Sequence, residues 1–258
     1  MSVEDGRGAG AGDMDALRCN VAVACRILAD RGLVDGVLGH VSARIGDGTY
    51  LIRCRGPREA GVGLTQIEDV RRISADGVLL EPESEWTVPK ETSIHTGLLA
   101  RRPEVGAVVH AHPPAALLAG LADLVPRPVF GAFNIPAMRM AMEGIPVYPR
   151  PVLIARAELA EEMMDAMGDR PVCLLRGHGI TAVGPSVEAA TVAAVNLNEL
   201  LKVTVELRRL GVDPQDISPA DVAELPNLGQ AFNDGLAWRA LVAELALSLR
   251  GLPVGVDL

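Results

Sequence analysis

The sequence predicts an α/β domain in three layers, a central sheet with helices on both faces. Three observations point there. Short apolar runs of strand length alternate along the chain with longer segments of helical periodicity. No internal repeat or linker-like stretch divides the series. The length, 258 residues, suits one ordinary domain with enough chain to bury a core. Residues 1–13, rich in glycine, are expected to form a disordered lead-in, and 14–258 a single domain.

Each element follows from a local pattern. Residues 14–31 carry Ala, Leu, Val and Ile at helical spacing after Asp13, a candidate N-cap, and Gly32 and Gly36 end that helix. Residues 41–45 and 50–55 read as a hairpin around Gly46-Asp47-Gly48. Residues 65–69 look like a short helix start, and a strand pair is expected around Ala75-Asp76-Gly77. A helix over 91–102 is entered just after Pro89, and Ala107-Val108-Val109 then reads as a buried strand. An Ala/Leu-rich helix covers 114–122. The proline-rich stretch 126–151 reads as loop with short strands. Further on come a helix over 157–167, a strand over 171–175, a turn at His178 and a strand from Ile180. Ser186 then caps a long apolar helix reaching about Leu210, and a last helix spans 235–249.

Composition narrows the function. The net charge of −9 argues against a broad nucleic-acid surface. No run reaches the length of a membrane span, and no secretory apolar region opens the chain. Cys19, Cys25, Cys54 and Cys173 show neither Cys-X-X-Cys nor framework spacing, so reduced thiols in the cytoplasm are expected.

The chemistry concentrates in three of the five histidines. His110 and His112 close the apolar run Val-Val-His-Ala-His-Pro-Pro, and residues i and i+2 of a strand project from one face. His178 sits between Gly177 and Gly179 after a second apolar run; those glycines allow a tight turn and a close backbone approach. Three neutral imidazoles converging from two strand ends form a set for a divalent metal. Such a set leaves positions open for water or substrate, as catalytic sites do.

Gly39-His40-Val41-Ser42, Pro89-Lys90-Glu91, His95, Val-Val-His110-Ala-His112-Pro and Gly177-His178-Gly179, in that order, resemble the class II aldolase/adducin family over about residues 14–210. The resemblance implies an α/β/α fold around a mixed, largely antiparallel sheet. It also implies a homotetramer with sites near subunit interfaces and one divalent ion per subunit, zinc first, with iron, manganese or cobalt as alternatives. The ligands map onto His110, His112 and His178, with Glu91 as the acidic ligand that swings away to act as general base or acid. His95, four residues on along the same helix face, is expected to support the site and not to ligate.

Two departures shift the substrate. Where sugar-phosphate members carry Gly-Asn-X-Ser, a Thr-Gly pair and a Ser-Ser pair, this chain has His40, Arg55-Gly56 and Pro89-Lys90. Small hydroxyl donors have given way to larger cationic groups suited to carboxylates. Arg53, Arg55, Lys90 and Ser42 are therefore the expected substrate-binding residues, and Glu91, His40 and Tyr148 the expected proton carriers. The pattern resembles the branch that handles hydroxy or oxo carboxylates. It implies a metal-dependent C–C lyase, a decarboxylase of a hydroxylated aromatic or 2-oxo carboxylic acid working through a metal-stabilised enolate. An aldolase or dehydratase on a small hydroxy-ketone and an iron-dependent oxygenase remain alternatives. An adducin-like interaction module is the non-enzymatic one, although such domains lose the histidine set retained here. The partner is a small-molecule carboxylate, with no nucleic acid and no membrane. Specificity is expected from 126–151 and from the stretch around Phe232 and Trp238. Asn196, Asn198 and Glu199 are expected to serve ordinary capping or solvated roles.

Overall fold

The computed structural model describes residues 11–46, 48–81, 85–229 and 231–250; most of the expected lead-in therefore lies outside the described residues. A seven-stranded sheet in the order β3-β2-β1-β4-β7-β6-β5 runs through the molecule. Its strands are β1 (His40–Arg44), β2 (Tyr50–Arg53), β3 (Val70–Ile73), β4 (Ala107–Ala111), β5 (Val147–Tyr148), β6 (Val172–Leu175) and β7 (Gly179–Gly184). Every neighbouring pair is antiparallel except β5 with β6, so the sheet is mixed and largely antiparallel.

Alternation along the strands makes the layers. Val41, Ala43, Leu51, Val109, Ala111, Leu174 and Ile180 face one core. That core is closed by α1 (Ala11–Asp30), α3 (Pro114–Leu121), α4 (Ile135–Glu143) and α6 (Val187–Arg209). Tyr50, Ile52, Val108, Cys173, Leu175 and Val183 face the other, closed by α2 (Thr92–Arg101) and α5 (Ala157–Met167). The period of two thus sorts each strand into both cores. On α1, Val21, Ala24, Cys25 and Leu28 recur at helical spacing and are fully buried. Burying one such leucine is worth about 1.5–3 kcal/mol. On α6 the Ser186 hydroxyl accepts the Ala189 N–H at 3.2 Å, the expected N-cap.

Four expectations need correction. The proline-rich stretch holds α4, because Pro136 lies in the first turn, where its missing N–H costs nothing, and Asn134 caps the helix through the Ala137 N–H. A short helix, α7 (Pro219–Glu224), follows the Ser218 cap in the same way. β2 stops at Arg53; Arg55 instead forms an isolated bridge with Thr87. A π-helical turn, Ala231–Leu236, precedes the last helix, α8 (Ala237–Arg250), whose Trp238 packs against both the α1–α6 core and a small cluster with Ile27 and Leu241.

Candidate active site

The register of the sheet places the site. His40 on β1 stands opposite His110 on β4, and Ser42, two residues on, shares the face of His40. This is the face covered by α2, which supplies His95, with Glu91 at its N-cap. The turn between β6 and β7 adds His178. Gly177 has φ +65° and Gly179 lies so close to β4 that a Cβ would collide with the Ala111 carbonyl. His112 follows the last residue of β4, held by a backbone hydrogen bond to the Leu33 carbonyl at 3.0 Å.

Four groups converge. His112 Nε2 lies 2.9 Å from His110 Nε2 and 3.1 Å from His178 Nε2. Glu91 Oε2 is 3.3 Å from His110 Nε2 and 3.5 Å from His178 Nε2. Among the described residues, this is the one group of His, Cys, Asp and Glu able to hold a metal ion. The donor chemistry fits one. His110 Nδ1–H donates to the Ile180 carbonyl at 3.0 Å, which leaves the Nε2 lone pair aimed at the cluster. Donor atoms bound at about 2.0–2.1 Å to one small cation sit about 2.9–3.4 Å from each other, the spacing found here.

Burial and charge set the protonation. Burial, then His110 and His178, push His112 down to about 3, so its ring is neutral and ready to ligate. Burial alone would raise Glu91. Its contacts with His110 and His178 outweigh that and hold the carboxyl well below the usual carboxylate range. The other oxygen, Oε1, accepts the Ile154 N–H at 2.8 Å, a backbone partner that no sequence pattern announces.

Behind the cluster lies a buried chain. His40 Nδ1 is 2.7 Å from His95 Nε2, and His95 Nδ1 is 2.6 Å from the Ser42 hydroxyl. Burial, with His95 and His110 nearby, holds His40 well below the usual histidine range, and burial with His110 takes His95 down to about 3. The spacing of His95 from Glu91 was the available signal; the bond to His40 had none.

A cavity of about 470 Å³ opens onto the cluster, lined among others by Leu38, His40, Arg55, Lys90, Leu153 and His178. It is large enough for one substituted ring. Arg55 makes only a 3.3 Å bond to the Val37 carbonyl, and Lys90, one of two lysines in the chain, is exposed at the rim.

Three expected site residues lie elsewhere. Arg53 is 2% exposed and paired with Glu59, because its strand position turns it into the protein. The Ser42 hydroxyl is fully buried on His95. Tyr148 sits on β5, at the far edge of the sheet, where its hydroxyl donates to Glu162 on α5. Neither the 126–151 stretch nor Phe232 and Trp238 line this cavity. Asn196 bonds Asn134, Asn198 reaches the Arg31 carbonyl and Glu199 pairs with Lys202.

Three imidazoles and one exchangeable carboxylate, open to a cationic cavity, define a metal-site protein of catalytic type, the arrangement a non-catalytic module has no use for. The family described as Class II Aldolase and Adducin N-terminal domain matches residues 19–205, and the chain belongs to it. It is 48% identical over 229 residues to a protein from Arthrobacter keyseri named 3,4-dihydroxyphthalate decarboxylase, covering 88% of this chain and 92% of that one. A protein of the same name from Terrabacter sp. (strain DBF63) is 45% identical over 236 residues, 91% and 99% of the two chains. The L-fuculose 1-phosphate aldolase structure from Glaciozyma antarctica PI12 superposes with a TM-score of 0.74 at 16% identity, covering 96% of this chain and 95% of that one, a likeness of fold.

Proposed function

We propose that the protein is a divalent-metal-dependent carboxy-lyase acting on a hydroxylated aromatic acid, with a dihydroxyphthalate as the substrate class. One observation carries this reading. A single cavity joins four convergent metal-ligating groups to two cations, Arg55 and Lys90, that pair with no acid among the described residues. The similarity to proteins named 3,4-dihydroxyphthalate decarboxylase supports it.

A divalent ion on His110, His112 and His178 would supply Lewis-acid polarisation of a ring hydroxyl oxygen. Arg55 and Lys90 grip the carboxylate that stays, the guanidinium through paired N–H bonds. Glu91 Oε2 takes the hydroxyl proton as substrate binds, while Oε1 keeps its bond to the Ile154 N–H and limits the swing. The bond from the ring to the departing carboxylate breaks, its electron pair enters the ring toward that oxygen, and CO₂ leaves. The proton held at Glu91 Oε2 moves to the vacated ring carbon, and solvent re-protonates the oxygen.

Zinc is the first choice of metal, since three imidazoles and one exchangeable position suit it, with iron, manganese and cobalt behind. A cytoplasmic homotetramer completes the proposal. The unpaired state of all four cysteines agrees with a reducing compartment, and no helix among the described residues is long and apolar enough to cross a membrane. Incubation with 3,4-dihydroxyphthalate under nitrogen tests the reading. CO₂ release with a dihydroxybenzoate product, abolished by a chelator, is expected. Oxygen uptake or an aldehyde product would contradict it.

A further inference from the structure

We infer that Ser42 and His95 are positioning residues that lock His40 in the tautomer carrying its proton on Nε2. His40 then acts as a fixed hydrogen-bond donor to the substrate and not as its proton source. The inference deepens the carboxy-lyase reading and rests on it only for what His40 donates to.

The argument starts at the far end of the chain. Ser42 lies on β1 with no exposed surface, and its hydroxyl makes one side-chain hydrogen bond, 2.6 Å, to His95 Nδ1. A buried hydroxyl hydrogen without an acceptor is costly, so the O–H donates to that nitrogen. His95 Nδ1 is then an acceptor, and the ring carries its single proton on Nε2. That N–H donates to His40 Nδ1 at 2.7 Å. His40 Nδ1 is therefore also an acceptor, and the His40 proton sits on Nε2. His40 is 6% exposed and lines the cavity beside Arg55, Lys90 and Glu91. One serine hydroxyl thus fixes, through two rings, which face of His40 meets the substrate.

The same chain is closed to proton supply. If His40 gave up its Nε2 proton, a proton could pass from His95 Nε2 to His40 Nδ1. His95 would then need one from the Ser42 hydroxyl, leaving a buried alkoxide with no donor aimed at it. The row of groups therefore ends at Ser42. His40 completes the cationic side of the cavity as a neutral donor to a substrate oxygen, and proton movement stays with Glu91.

The test uses zinc-loaded protein labelled with ¹⁵N-histidine, read by long-range ¹H–¹⁵N correlation beside steady-state kinetics on 3,4-dihydroxyphthalate. Expected in the wild type is a protonated His40 Nε2 with an unprotonated Nδ1. In Ser42→Ala the two His40 nitrogens move toward averaged shifts and kcat/KM falls about tenfold, the loss of one oriented charge-assisted bond. Ser42→Thr, which keeps the hydroxyl, restores both. A protonated Nδ1 on His40 in the wild type would overturn the inference, and so would a Ser42→Ala variant with His40 shifts and kcat/KM unchanged. If Ser42→Ala fails to fold, the wild-type spectrum alone decides. Absence of CO₂ release from the wild type alongside the expected spectrum would defeat the carboxy-lyase reading and leave the tautomer standing.

Discussion

Glu91 and Ile154 are tied by one hydrogen bond of 2.8 Å, from the Ile154 backbone N–H to Glu91 Oε1. That bond fixes the carboxylate so that Oε2 alone faces His110 and His178. A glutamine at this position keeps an oxygen for the Ile154 N–H but has no carboxylate to hold a proton. Glu91→Gln is expected to fold with an unchanged melting temperature and to lose about 10²–10⁴-fold in kcat. Thermal melts and progress curves of CO₂ release check it; a kcat within threefold of the wild type contradicts the role given to Oε2.

Arg55 and Lys90 are the cations of the cavity without an acidic partner among the described residues. Arg55→Ala and Lys90→Ala are each expected to raise KM about tenfold with little change in kcat, because a retained carboxylate is gripped equally before and during bond breaking. The effect should shrink for a substrate that lacks the second carboxylate. Equal losses for mono- and dicarboxylates would assign these cations to fold stability.

Gly179 is fixed by backbone proximity. A Cβ there meets the Ala111 carbonyl, and β4 and β7 pair at this point through Ala111 and Ile180. Gly179→Ala therefore has to push the His178 turn away from His112. Weaker metal retention and a destabilisation of about 1–3 kcal/mol are expected, the cost of overpacking a tight contact. Chemical denaturation and metal analysis of the same sample measure both.

Neutral buried histidines give the metal-free protein a defined acid sensitivity. His95 and His112 sit at about 3, and His40 also lies well below its ordinary value, whereas the unfolded chain takes up protons at about 6.5. Between those values the unfolded state binds more protons than the folded one, so stability falls as pH falls. It should be flat from pH 8 to 7 and decline steadily from pH 6.5 toward 4. Melting temperatures across that range that do not decline would show that these rings are not held neutral.

Strand alternation and the two glycine-flanked or proline-stopped histidine runs were legible, because they depend on neighbours in sequence. His110, His112 and His178 could be grouped that way, and Glu91 through the family resemblance. What was not legible depends on pairings across long separations. Ser42, His95 and His40 meet only because β1 lies beside β4 beneath α2. Arg53 resembled Arg55 in sequence, yet the strand ends between them, so one is buried on Glu59 and the other reaches the cavity. Tyr148 looked close in a proline-rich loop, but strand order carries β5 to the far edge. α4 was hidden by Pro136, which reads as a breaker unless the helix start is placed one residue before it.

The central claim is that His110, His112 and His178 hold one catalytic divalent ion. Metal content of protein purified without added metal, beside His110→Ala, tests it most directly. One divalent ion per chain in the wild type, lost in the variant together with CO₂ release, is the predicted result. A wild-type protein that is folded and active with no bound metal would contradict it.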